Sequence, residues 1–246
     1  QVLSVTSNSA DLASRFGFLD SFFITDSIGG RYSISSACGL LVGGLAYGSN
    51  VMSEFLQGAY DMDQHAENPN VLENMVVWDA IWGVADRNIH QYSAQAIIPY
   101  ASSLQLLPPY LQQLENESNG KSVNRQNQPI EYPTSHVIFG EVGTNAQHSF
   151  FQYLHQGNPV IPIQMIGFKQ ANGTQEKDLQ VSLLANLMGQ LIAFSEGQAS
   201  ADPNTSFKGG RPVSLLAAQK LTPSVIGSLI SFYENTTMFK GFLWNV

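Results

Sequence analysis

Two short segments carry residue types that could do chemistry on a negatively charged substrate. The first runs from Asp26 to Ser33 and contains Gly29, Gly30 and Arg31, between a predicted strand and a predicted helix. Consecutive glycines let a backbone turn tightly beside a ligand, and a guanidinium near a helix N-terminus can hold negative charge. The same residues also fit an ordinary strand-to-helix turn with a surface arginine, so the segment alone leaves both interpretations open.

The second segment runs from Gly140 to His148 and follows an apolar strand predicted over 136–140. Open α/β sheets bind ligands at the carboxyl ends of their strands, which is where Glu141 falls. A partly desolvated carboxylate at that place can act as a general base near neutral pH. The alternative is that Glu141 only caps the helix that follows it.

Two histidines in this region, His148 and His155, are seven residues apart, on one face of a predicted helix. A metal-binding pair on a helix needs a spacing of three or four residues, or a third ligand nearby. We therefore expect both histidines to serve packing and hydrogen bonding, and we predict no metal site.

The elements that must position these residues follow an alternating pattern of short apolar strands and amphipathic helices, which predicts a mainly parallel sheet covered by helices. We predict strands over 2–6, 21–25, 95–99, 136–140 and 160–166. We predict helices over 33–47, 51–64, 71–87, 104–115, 145–156, 179–195, 213–219 and 223–234. The polar stretches 117–132 and 195–212 are predicted to be exposed loops.

Composition excludes several classes of protein. Of 246 residues, 43% are hydrophobic and 12% charged, which gives ample material for a core and argues against intrinsic disorder. The net charge of −8 argues against non-specific nucleic-acid binding, and no apolar run reaches the roughly 18 residues of a membrane span. The single cysteine, Cys38, permits no internal disulfide and favours a reducing, cytoplasmic setting.

Taken in order, several segments resemble the phosphoglucose isomerase family over essentially the whole chain. Each segment preserves most letters of a family pattern, with departures such as Val142 for proline and Ala146 for glycine. The matching segments are D-x-x-G-G-R-Y-S-x-x-S-A-x-G at Asp26–Gly39, G-A-x-x-M-D-Q-H at Gly58–His65, E-S-N-G-K at Glu117–Lys121, G-E-x-G-T-N-x-Q-H-x-F-x-Q-x-x-H-Q-G at Gly140–Gly157, F-x-G-x-R-P at Phe207–Pro212 and K-L-T-P at Lys220–Pro223.

The resemblance implies a dimeric enzyme that interconverts glucose 6-phosphate and fructose 6-phosphate through a cis-enediolate, without metal or cofactor. It implies two lobes of the sugar-isomerase (SIS) type, each a three-layer α/β arrangement. In that mechanism Glu141 is expected to carry the proton between C1 and C2, and Arg31 to stabilise the enediolate. Gly29, Gly30 and Gln147 are expected to bind substrate.

The resemblance also implies parts that this chain lacks. Residues 1–30 are expected to be the tail of a first lobe, and 31–246 a second lobe that is incomplete at its C-terminus. The family's phosphate-holding segments belong to the first lobe, so we expect the chain alone to be inactive or nearly so. The family's ring-opening histidine, contributed to the partner subunit's site, should follow the glutamate by about 30 residues. Counted from Glu141, that position falls near Asn172, where no histidine stands.

Two other functions stay open from the sequence alone. A dual phosphoglucose and phosphomannose isomerase would use the same glutamate, and activity on mannose 6-phosphate would identify it. A non-catalytic sugar-phosphate-binding protein of the same fold would bind fructose 6-phosphate without exchanging the hydrogen next to its carbonyl.

Overall fold

The computed structural model describes residues 3–5, 9–171 and 177–246. Near the N-terminus, β1 (Leu3–Val5) and β2 (Asp20–Phe22) form a parallel pair, and α1 (Ser9–Phe16) connects them. A separate sheet of four parallel strands forms the main body, in the order β4-β3-β5-β6. Its strands are β3 (Ala94–Pro99), β4 (Val137–Gly140), β5 (Ile163–Gln170) and β6 (Val213–Lys220).

Helices cover both faces of this sheet. They are α2 (Ala37–Tyr47), α3 (Ser49–Ala66), α4 (Met75–Asn88), α5 (Leu107–Asn119), α6 (Gly143–Ala146), α7 (Phe151–Gln156), α8 (Lys177–Glu196) and α9 (Pro223–Trp244). Alternate residues of β3 point to two hydrophobic clusters: Ile97 joins the cluster with α3, α5 and α9, and Ile98 joins the cluster with α7 and α8. The predicted three-layer α/β class with a mainly parallel sheet is confirmed.

Three predicted elements differ most from the structure. The helix predicted over 213–219 is wrong, because these residues form β6 and pair with β5 from Ile163 to Gln170. Leucine and alanine give this segment a helical preference that pairing with a buried neighbouring strand overrides. The helix predicted over 145–156 is two short helices, α6 and α7. The last helix continues to Trp244, ten residues beyond the prediction.

Helices α3 and α9 pack closely through two glycines. A side chain at Gly58 would overlap the backbone carbonyl of Ser224, and one at Gly227 would overlap the carbonyl of Phe55. The G-A-x-x-M-D-Q-H segment that begins at Gly58 therefore has a packing role. Asp63 of the same segment accepts hydrogen bonds from Ser231 and Asn235 on α9.

Buried polar groups fix α9 against the sheet and against α5. The hydroxyl of Tyr233 donates to Gln164 Oε1 at 2.6 Å, and Gln164 Nε2 donates to Asp79 Oδ1 at 2.8 Å. Further along α9, Lys240 Nζ lies 3.7 Å from Glu115 Oε2, and both side chains are about 5% exposed. Because an unpaired buried charge is costly, this pair fixes the position of α5 relative to α9.

Among the residues that the structure describes, no helix is both long enough and apolar enough to cross a membrane.

Replacement of Gly58 by alanine is expected to lower the free energy of unfolding by about 1–3 kcal/mol, because the methyl group forces α3 away from the Ser224 carbonyl. The matched control is Gly189→Ala on α8, where the added Cβ has no neighbour within 4 Å. We expect the control to be neutral or slightly stabilising. Urea unfolding followed by tryptophan fluorescence measures both, and equal effects would contradict the close-packing account.

Candidate functional site

Arg31 is the cation of the candidate site, and its guanidinium contacts the last turn of α5. Its Nε donates to Ser118 Oγ at 2.7 Å, and its Nη1 lies 3.1 Å from Glu117 Oε1. The neighbouring Tyr32 brings its hydroxyl within 3.3 Å of the same Ser118 Oγ. The Arg31 Cζ also lies 5.4 Å from the centroid of the Tyr32 ring. These contacts fasten the 29–33 loop to the end of α5.

Glu117 is held from two sides but stays open to solvent. Its Oε1 pairs with Arg31, and its Oε2 accepts a hydrogen bond from Gln113 Nε2 at 3.0 Å. Its backbone carbonyl accepts from Lys121 Nζ at 2.9 Å. The Glu117 side chain is 53% exposed, so a ligand can reach the carboxylate. An oriented, accessible carboxylate beside a guanidinium is suited to proton abstraction with charge stabilisation.

Of the two glycines before Arg31, Gly29 leaves space for the arginine side chain. Neither Gly29 nor Gly30 has a positive φ, and the segment Gly30–Tyr32 forms one tight turn of helix. The Ser33 hydroxyl donates to the Gly30 carbonyl at 2.7 Å and closes that turn. A Cβ at Gly29 would lie 3.3 Å from Arg31 Nη1. Glycine at this position therefore leaves room for the guanidinium to reach α5.

The segment that contains Glu141 and Gln147 lies at the carboxyl end of β4, away from Arg31. A Cβ at Gly143 would overlap the ring of Tyr100, which follows β3. The Tyr100 hydroxyl accepts from Gln147 Nε2 at 3.3 Å, and the same amide contacts Asn186 on α8. The Gln147 side chain, at the end of α6, is thus held by contacts with Tyr100 and with α8. Glu141 is exposed on this chain, so the partial desolvation expected for a base is not provided by the described residues around it.

The structure does not bring Glu141 and Gln147 to Arg31. The α5 helix runs antiparallel to β4, so its first turn lies near Gly140 and its last turn holds Arg31. Between Pro108, beside Gly140, and Ser118, the helical rise of 1.5 Å per residue gives about 15 Å. Within this chain Glu141 and Arg31 therefore lie near opposite ends of α5, which separates two groups that were expected to act on one enediolate.

Sequence reasoning missed Glu117, Gln113 and Ser118 as site residues. The helix predicted over 104–115 ends before Glu117, and the polar stretch after it was predicted to be a loop. In the structure α5 continues to Asn119, whose Nδ2 donates to the Thr237 carbonyl on α9 at 3.0 Å. The intact E-S-N-G-K segment was the available signal, since it brings a carboxylate and a cation into one short motif.

The two histidines have different surroundings. His155 on α7 is buried, stacks on Phe194 with ring centroids 3.9 Å apart and hydrogen-bonds Gln190 at 3.2 Å. The packing role predicted for it is confirmed. His148 lies in the turn between α6 and α7 and is exposed, so the packing role predicted for it is wrong. The position near Asn172 lies outside the described residues.

The F-x-G-x-R-P segment has a structural role. Arg211 is buried, and its Nη2 donates to the carbonyls of His155 and Gly157 at 2.8 and 2.9 Å. Gly209 and Gly210 before it both have positive φ, a conformation that glycine adopts without strain. The segment therefore holds the end of α7 rather than contributing to the Arg31 site.

Comparison with known sequences identifies relatives along the entire chain. The family model described as phosphoglucose isomerase matches residues 1–246. The glucose-6-phosphate isomerase of Treponema pallidum (strain Nichols) is 47% identical over 251 residues, which cover 100% of this chain and 47% of the relative. The glucose-6-phosphate isomerase of Chlamydia muridarum is 42% identical, covering 99% of this chain and 48% of the relative. The chain thus spans about half the length of the curated relatives it matches.

Solved structures agree with the sequence relatives. A crystal structure of a glucose-6-phosphate isomerase from Chlamydia trachomatis superimposes with a TM-score of 0.92 at 42% identity, covering 99% of this chain and 48% of that one. A hypothetical protein from Thermus thermophilus gives a TM-score of 0.76 at 22% identity, covering 99% of this chain and 58% of that one, which shows a shared fold alone. From the match along its whole length, the chain belongs to the phosphoglucose isomerase family.

Proposed function

We propose that the whole protein, of which this chain corresponds to about half, interconverts glucose 6-phosphate and fructose 6-phosphate. The names of its relatives support this reaction. The contact between Arg31 and the Glu117 carboxylate is the observation in this chain that carries the proposal. Aldose–ketose isomerisation needs a base for a C–H proton and a cation for the resulting enediolate, and these two residues have those chemical properties.

In this proposal Glu117 removes the proton from C2 of the open-chain aldose and returns it to C1. Arg31 stabilises the negative charge that develops on the enediolate oxygens. A guanidinium has five N–H donors in a fixed plane, so Arg31 can keep its bond to Ser118 and still present donors to the substrate. Gln113 holds the second carboxylate oxygen of Glu117 and thereby orients the base. The reaction needs no metal and no cofactor.

The choice of Glu117 as the base also accounts for the histidine that the family resemblance implies. Counted from Glu117 instead of Glu141, a position about 30 residues further on falls on His148. His148 is exposed and lies on the Glu141 side of the sheet, away from Glu117 of its own chain. We propose that it assists ring opening in the partner subunit's site of a homodimer.

The alternatives differ from this proposal in measurable ways. A missing ring-opening histidine near Asn172 would favour a non-catalytic binding protein. If His148 supplies that group, the sequence no longer favours the binding protein. A dual enzyme would also convert mannose 6-phosphate, which the assay below includes as a second substrate. We place residues 1–30 with a first lobe and 31–246 with the second, and we propose a cytoplasmic enzyme, in keeping with its single cysteine.

Glu117→Gln in the whole protein is expected to lower kcat by about 10²–10⁴-fold, because glutamine keeps the shape but cannot accept the C2 proton. A coupled assay that follows fructose 6-phosphate conversion, repeated with mannose 6-phosphate, measures the effect. Glu141→Gln serves as the matched control and should stay within about twofold of wild type, as expected for a surface substitution. A collapse in Glu141→Gln with near-normal turnover in Glu117→Gln would restore Glu141 as the base.

The 246-residue chain expressed alone is expected to show no turnover above that of whole-protein Glu117→Gln. The family resemblance assigns the phosphate-holding segments to the first lobe, and binding of the non-reacting phosphate positions the reacting carbons. The same coupled assay tests this, with the whole protein as the positive control. Robust turnover by the isolated chain would contradict the role given to the first lobe.

A further inference from the structure

Glu234, near the middle of α9, is a carboxylate that lines the same cavity as Arg31. This cavity has a volume of about 490 Å³ and lies between the 29–33 loop, the end of α5 and the second half of α9. Arg31, Ser118 and Glu234 all line it. Glu234 is half-buried, so its carboxylate is partly shielded from bulk water but can meet a ligand in the cavity. The function proposed above assigns no role to Glu234.

The surroundings of Glu234 keep it close to the midpoint of its titration at neutral pH. Burial is the main cause that raises its pKa, to about 7; the Tyr110 hydroxyl, which donates to Oε1 at 3.3 Å, lowers it, and the charge of Asp63 on α3 raises it further. The titratable and charged groups around it are Arg31 and Tyr32 of the loop, Tyr110 of α5, Asp63 of α3, and Arg125, which also lines the cavity.

Aldose–ketose isomerisation moves two protons, and Glu117 accounts for only one. When the C2–H proton leaves to the base, the carbonyl oxygen O1 becomes an enediolate oxygen and must gain a proton. The O2 hydroxyl must then lose its proton as the C2 carbonyl forms and C1 receives hydrogen. An acid that protonates O1 and then accepts the proton of O2 balances the reaction, and it is regenerated at the end.

We propose that Glu234 is this acid–base group, which transfers the hydroxyl proton between O1 and O2 while Glu117 transfers the carbon-bound proton. The assignment rests on the proposed isomerase function and deepens it. Glu234 shares the cavity with Arg31, whose guanidinium holds the enediolate oxygens to which the proton must move. The Tyr110 hydroxyl, which donates a hydrogen bond to Glu234 Oε1, fixes the carboxyl group in place. The protonated form is needed first, so kcat falls as the pH rises through about 7.

The test uses the whole protein with Glu234→Gln, which retains an oxygen to accept the Tyr110 hydrogen bond. We expect kcat to fall by about 10²-fold, with little change in KM, and the pH dependence near 7 to disappear. Exchange of the C2 hydrogen with deuterium from solvent should be largely retained, because Glu117 alone performs that step. The ratio of exchange to net conversion therefore rises. Glu131→Gln, at an exposed loop position, is the control for loss of one negative charge.

A second variant, Tyr110→Phe, tests the assignment without altering the carboxylate. Removal of the hydroxyl that lowers the Glu234 pKa should move the fall in kcat to higher pH. If Glu234 had a purely structural role, Tyr110→Phe would lower thermal stability but would not shift the pH at which kcat falls. Wild-type kcat and an unchanged pH profile in Glu234→Gln would overturn the assignment. A fall in kcat at the wild-type pH in Tyr110→Phe would overturn it as well. Absence of turnover in the wild-type whole protein would instead overturn the proposed function on which it rests.

Discussion

The contact of the Arg31 guanidinium with the last turn of α5 is the constraint on which the candidate site depends. One side chain bonds the Ser118 hydroxyl through Nε and the Glu117 carboxylate through Nη1. A loop 87 residues earlier in the sequence is thereby fixed at the end of α5. Because a planar guanidinium imposes directions on its partners, lysine at this position could not orient both groups in the same way.

The position of α5 is in turn set by α9. The Lys240–Glu115 pair is buried between these helices, and Asn119 at the end of α5 donates to a carbonyl of α9. Close packing of α3 on α9 at Gly58 then brings Asp63 towards Glu234. The contacts that stabilise the fold therefore also determine which carboxylates line the Arg31 cavity and how readily Glu234 ionises.

The sequence predicted the α/β class and most of the parallel strands, because these depend on local patterns. It did not predict that Glu117 lies on a helix. The segment Glu115–Asn119 has no apolar periodicity, and the polar groups of Glu115 and Asn119 at its two ends are satisfied by Thr237 and Lys240, more than 100 residues away. The choice of Glu141 followed a sound rule about strand ends. The antiparallel course of α5 separates the carboxyl end of β4, where Glu141 lies, from Arg31. This is a property of the tertiary structure that the sequence of one strand and its turn does not encode.

The most direct test of Glu117 as the base is a crystal structure of the whole protein with a bound hydroxamic acid analogue of the enediolate sugar phosphate. We expect a Glu117 carboxylate oxygen to lie about 3–3.5 Å from the analogue atoms that replace C1 and C2, with Arg31 on the adjacent oxygens. An analogue that places those atoms beside Glu141, with Glu117 still paired only to Arg31 and Gln113, would contradict it.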